Sequence, residues 1–71
     1  MSASTYKLTT LIGESAQGIE DAVRTALSTS ASKVHGQEWV QVTDIRANVN
    51  EGGTVDRWQV QLEGAFRVDE T

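Results

Sequence analysis

The stretch EWVQVTDIRANVNEGGTVDRWQVQLEGAF, residues 38–66, decides how this chain is read. NEGGT, residues 50–54, is a hairpin turn, because two adjacent glycines can take the positive φ that a tight strand reversal demands. After the turn the alternation is clean. Trp58, Val60, Leu62, Phe66 and Val68 point one way, while Arg57, Gln59, Gln61, Glu63, Ala65 and Arg67 point the other. Before the turn the alternation breaks. Val40 and Val42 share one parity and Ile45, Ala47 and Val49 the other, so a bulge or strong bend is expected near Thr43 and Asp44. This strand opens on Trp39, after the polar GQE, with little apolar company.

Upstream, TYKLTTLIG, residues 5–13, reads as a short β-branched strand closed by Gly13. The segment ESAQGIEDAVRTALSTSASKV, residues 14–34, carries a helical period. Its apolar stripe is Ile19, Ala22, Val23, Ala26, Leu27, Ala31 and Val34, which predicts one helix of about five turns. Ser15 is the expected N-cap, with Glu14, Glu20 and Asp21 near the positive end of the helix dipole. Lys33 and His35 suit the other end, and Gly36 is the expected terminator. The fold class is therefore α+β. A β-α-β-β subunit carries a three-stranded antiparallel sheet partly wrapped around one helix, with Trp58, Val60 and Leu62 facing it. The other sheet face bears amides and charges, and is either wet or covered by a neighbour.

The bounds narrow the function. Seventy-one residues, 1–71, make one domain whose core is small, since a chain of this size buries only ~60% of its unfolded surface. There is no cysteine and one histidine, so neither disulfides nor a thiolate or His-rich metal site supplies extra stability. Oligomerisation is the remaining source. A net charge of −4 argues against a nucleic-acid surface, which needs a clustered basic face. No apolar run approaches the ~20 residues of a membrane span, nor does MSASTYKL read as a signal peptide, so a cytoplasmic protein is expected. No nucleophile–base pattern, P-loop or dinucleotide fingerprint is present, and no catalytic residue is assigned.

Four residues carry binding potential. Trp39 either closes one end of the core or offers an aromatic plate to a planar ligand. Gln59 is a solvated amide or a paired donor and acceptor for a ring edge. Arg46 is an exposed cation or an anion clamp. Asp44 is a solvated strand charge or is paired with Asp56 across the hairpin, the first being the expectation. With the hairpin turning at residues 51–53, pairing positions sum to about 104, which places Trp39 near Ala65 and Gln59 near Ile45. Six residues of strand, roughly 20 Å, then separate Trp39 from Gln59, too far for one subunit to hold a ring with both.

The order YKLTTLIGES, GIEDAVRTAL, EWVQVTDIR, DRWQVQLEGAFRVDE strongly resembles the dodecins, small flavin-binding proteins, from about Tyr6 to Glu70. The resemblance implies a hollow homododecamer in which flavin pairs stack between tryptophans of neighbouring subunits, storing the flavin and quenching its light-excited state. By position, Trp39 would be the stacking residue and Gln59 the amide on the ring edge. Arg46 matches an arginine beside the flavin in bacterial members, where FMN is the usual ligand; riboflavin or a related flavin is the other choice. Asp44 matches a family acid. Some bacterial relatives also bind coenzyme A, for which Lys7 and Arg67 would be the contacts. An oligomeric protein-interaction module without flavin remains the rival reading, and a small flavoenzyme lacks residues to support it.

Overall fold

The computed structural model describes residues 3–32 and 35–68. Strand β1 runs Thr5–Ser15, helix α1 Ile19–Ala31, strand β2 Gln37–Val49 and strand β3 Val55–Val68. The sheet is antiparallel with order β1-β3-β2, so β3 is central and the other two are edges. This is the β-α-β-β order that the two periodicities predict.

The hairpin is held by Asn50. Gly53 N–H donates to the Asn50 carbonyl at 3.0 Å, and Gly53 has φ 83°, a conformation natural to glycine. The Asn50 side-chain oxygen accepts from Gly52 N at 3.0 Å and from Thr54 N at 3.2 Å. The parity break before the turn is a true bulge. Val42 pairs with Leu62 and Asp44 with Gln61, leaving Thr43 as the extra residue. Thr43 keeps its place by donating its hydroxyl to the Gln61 carbonyl at 3.2 Å. Thanks to this extra residue, Val40, Val42, Ile45 and Ala47 all share the helix side of the sheet.

The core lies where α1 meets the middle of β3. Ala22, Val60 and Leu62 are fully buried, Ala26 nearly so, with Leu11, Val23, Leu27 and Val40 packed around them. Trp58 is only half-buried and Val68 is exposed, although both share the core-facing parity. A 13-residue helix is about 20 Å long, whereas the 14-residue β3 extends for about 46 Å, so the helix covers only the centre of the strand. It packs chiefly on β1 and less on β3. Val42 and Ile45 of β2 therefore stay exposed on the helix side.

Three sequence expectations are corrected. First, Gly13 does not close β1, which continues to Ser15, itself paired with Trp58. Gly13 is instead the point where the backbone of α1 comes down onto the sheet: a Cβ there would collide with the Ala22 carbonyl oxygen and lie 2.8 Å from its carbon. Second, Gly18 occupies the N-cap position, without a side-chain cap. Ser15, nearly buried, tethers the helix start from a distance: its hydroxyl donates to Asp21 Oδ2 at 2.6 Å and accepts from Gln17 N–H at 2.9 Å. Ser15→Ala should cost about 1 kcal/mol in thermal or urea unfolding, because it leaves a part-buried N–H and carboxylate short of a partner. An unchanged midpoint would mean that water replaces the hydroxyl. Third, the helix is shorter than expected: Glu14 belongs to β1, the helix ends at Ala31, and Gly36 lies beyond it at φ 81°. Lys33 and Val34, expected in the last turn, lie outside the described residues.

The subunit is elongated, with extents of 57 × 21 × 14 Å and a radius of gyration of 15.0 Å, against about 11 Å for a compact chain of this length. Its sheet projects well past the helix. Tyr6, Leu8, Ile12 and Trp39 lie exposed on the outer face, mixed with the expected amides and charges. A surface this apolar, on a sheet with two edges, is built to be covered.

Candidate functional site

The outer face of the sheet carries every sequence-predicted site residue except Lys7, and its register sorts them into two groups. Arg46 pairs with Gln59 across the β2–β3 ladder, and Glu14 pairs with Gln59 from β1. Gln59 thus faces Arg46 rather than Ile45, because the extra residue Thr43 advances the register by one beyond the bulge. Arg46 Nη2 lies 3.0 Å from Asp44 Oδ2, in an ion pair whose partners are both more than half exposed. Gln59 Nε2 reaches Glu14 Oε1 at 3.4 Å, a long contact that leaves its carbonyl oxygen and second N–H available to a ligand. Arg57 closes the group, with Nε 3.5 Å from Glu14 Oε2. Glu14 and Arg57 carry no sequence signal that joins them to this cluster, since only strand pairing shows that β1 extends far enough to meet Gln59.

The second group surrounds Trp39, which pairs with Ala65 as the unbulged register requires. The indole is 47% exposed, enough to offer a broad plane to a ligand. Ala65 beneath it is fully buried although it points to the outer face, flanked in the ladders by Leu8 and Trp39. The Tyr6 ring centroid stands 6.2 Å from the indole, inclined at 46°. Tyr6 Oη donates to Glu38 Oε1 at 3.1 Å, and Arg67 Nε approaches Glu38 Oε2 at 3.8 Å. On the helix side, Trp39 borders an open cleft of about 540 Å³ with Leu27, Ala31, His35 and Val40.

Trp39 and Gln59 are not brought together. Six β3 residues, roughly 20 Å, separate Gln59 from Ala65, so one chain presents an aromatic plate and an amide–guanidinium edge at two places on one face. Lys7 pairs with Phe66 and Arg67 with Tyr6, which puts the two cations at one end of the sheet but on opposite faces. Asp56 and Asp44 do not meet across the hairpin; Asp44 faces Gln61. Among the described residues there is no group of three or more His, Cys, Asp or Glu side chains able to hold a metal ion. No helix among them is long and apolar enough to cross a membrane.

What these features define is a small sheet-and-helix subunit whose ligand-competent groups lie on an open face that wants a neighbour. The dodecin family model matches residues 5–69, and the chain belongs to the dodecin family. A dodecin from Thermus thermophilus is 38% identical over 66 residues, 93% of this chain and 94% of that protein. The dodecin of Streptomyces coelicolor superposes with a TM-score of 0.89 at 35% identity, covering 100% of both chains. The Streptomyces davaonensis dodecin gives a TM-score of 0.87 at 32% identity over 97% of this chain and 100% of that one. Dodecins are as a family small flavin-binding proteins that assemble as homo-oligomers.

Proposed function

We propose that this protein binds a flavin, FMN in the first place and riboflavin or a related flavin in the second, within a homododecamer. There it stores the ligand and quenches its excited state without net chemistry. The observation that carries this reading is the separation of Trp39 from Gln59 and Arg46 on one exposed face. An aromatic plate and a ring-edge reader 20 Å apart, on the order of six residues of strand, become one site only when a symmetry axis brings in a second subunit. The same contact would cover Leu8 and Ile12.

The residues fit a flavin. An exposed indole supplies a stacking plane, and Gln59 has donor and acceptor capacity left over for the polar edge of the ring. Arg46 carries the charge that an FMN phosphate requires, with Asp44 holding the guanidinium in place. A bound flavin supplies the light absorption and the electron acceptor. Trp39 would hold the ring by stacking and offer it an electron-rich plane, which is what quenching of an excited flavin requires. No acid, base or nucleophile is assigned beside this plane, and the proposed role is non-enzymatic. A coenzyme A contact from one subunit would use Lys7 or Arg67 but not both on one face.

Titration of FMN fluorescence with flavin-free protein, run beside size-exclusion chromatography, tests the reading. Deep quenching that saturates near one flavin per chain on a dodecamer-sized particle is the expected result. Unquenched FMN beside a well-folded oligomer would overturn it in favour of a flavin-free interaction module. Arg46→Ala should weaken FMN about tenfold at low salt and leave riboflavin nearly untouched, with the difference shrinking as salt is added. Equal losses for both flavins would remove Arg46 from the phosphate.

A further inference from the structure

The bulge in front of Trp39 is pinned by three strands at once. Gln37 pairs with Phe66 and Trp39 with Ala65, so Glu38 is the extra residue, and a bulge at this place re-aims the side chain that follows it. A bulge at the start of an edge strand is free to shift unless something ties it. Here Glu38 is tied on both carboxylate oxygens, Oε1 by the Tyr6 hydroxyl of β1 at 3.1 Å and Oε2 by Arg67 of β3 at 3.8 Å. Tyr6 and Arg67 are themselves direct cross-strand partners. The Tyr6 ring then stands 6.2 Å from the indole, and the fully buried Ala65 forms the floor.

We infer that Tyr6 and Glu38 are positioning residues for Trp39: the tyrosine, latched to the bulge through Glu38, sets the attitude of the indole before any ligand arrives. A latched plate loses less rotamer freedom when a flat ligand stacks on it, which is preorganisation in its simplest form. The consequence for affinity rests on the flavin reading given above; the consequence for the indole in the ligand-free protein does not.

The two tryptophans can be watched separately by ¹⁹F NMR of protein labelled with 5-fluorotryptophan, with Trp39→Phe identifying the Trp39 line. In Tyr6→Leu, the ring contact and the latch are both lost. The Trp39 line should move and broaden while the Trp58 line stays, and the Kd for FMN should rise about tenfold on a particle of unchanged size. Tyr6→Phe keeps the ring and loses the hydroxyl, so a smaller change of the same sign is expected, as it is for Glu38→Ala. Glu38→Gln keeps an acceptor for the tyrosine hydroxyl and should retain more affinity than Glu38→Ala. An unmoved Trp39 line with unchanged FMN affinity in both Tyr6→Leu and Glu38→Ala would overturn the inference. So would tighter FMN binding in Tyr6→Leu, since Tyr6 would then be covering the plane that the ligand needs. If the unaltered protein fails to bind FMN, the flavin reading fails, yet the ¹⁹F spectra still decide whether Tyr6 and Glu38 set the indole.

Discussion

Replacing Gly13 by alanine is expected to destabilise the subunit by about 3 kcal/mol, a large part of what a domain of this size possesses. The added methyl would run into the carbonyl oxygen of Ala22, 2.8 Å from its carbon and 3.0 Å from the Ala26 Cβ. Two of these three obstacles are helix backbone and cannot swing aside. The helix would have to lift, opening the contact between Ala22, Ala26, Val60 and Leu62 that makes up the core. Urea unfolding at matched chain concentration is the measurement, with a lower midpoint at an unchanged slope as the expected result. Gly64→Ala is the informative comparison. There the obstacle is the amide end of Gln37, a side chain able to move at the loss of its 3.2 Å hydrogen bond to Ser30, so about 1 kcal/mol is expected. Equal effects at the two glycines would show that the helix does not press on Gly13 as closely as its backbone path indicates.

Trp39→Ala is expected to weaken FMN binding by ~1–3 kcal/mol, roughly 5- to 150-fold, as measured by the fluorescence titration. The particle should keep its size. Trp39 is about half exposed and does not belong to the core cluster, so its removal opens no core cavity. Trp58→Ala should show the opposite pattern, with stability falling because Trp58 is half-buried on the helix side of the sheet and flavin affinity following only as folding is lost. Unchanged affinity in Trp39→Ala would reduce the indole to a cover for Ala65.

These expectations draw on the sequence and the tertiary structure unequally. Period-two patterning in Trp58, Val60 and Leu62 and its break between Val42 and Ile45 were visible in the chain, because a one-residue slip moves every side chain to the wrong face. The Thr43 bulge was therefore legible, as were the NEGGT turn and the stripe through Ala22, Val23, Ala26 and Leu27. The bulge at Glu38 was not, since no alternating run precedes Trp39 against which a break could be noticed. Nor was the burial of Ala65: parity assigns a face, but what covers a face comes from other strands.

Trp39, Gln59 and Arg46 were identifiable as candidates from residue type, from their place in the strands and from the family resemblance. That Gln59 stands opposite Arg46 follows only when the extra residue of the bulge is counted into the register, which a uniform hairpin pairing leaves out. Gly13 shows the same limit. In one dimension a glycine after a strand looks like a stop, and only the approach of a distant helix reveals that it makes room for one.

The sequence by itself determined the order of elements, the side of β3 that meets the helix, the change of face within β2 and the small core that favours assembly. Those properties follow from local periodicity and composition, which a single chain carries in full. Only the tertiary structure decided how far each element runs, which residues meet across strands beyond the Thr43 bulge, and that Tyr6, Glu38 and Arg67 converge on Trp39. Such contacts join positions distant in the chain, 32 residues apart for Tyr6 and Glu38, and their geometry depends on every bulge and register between them.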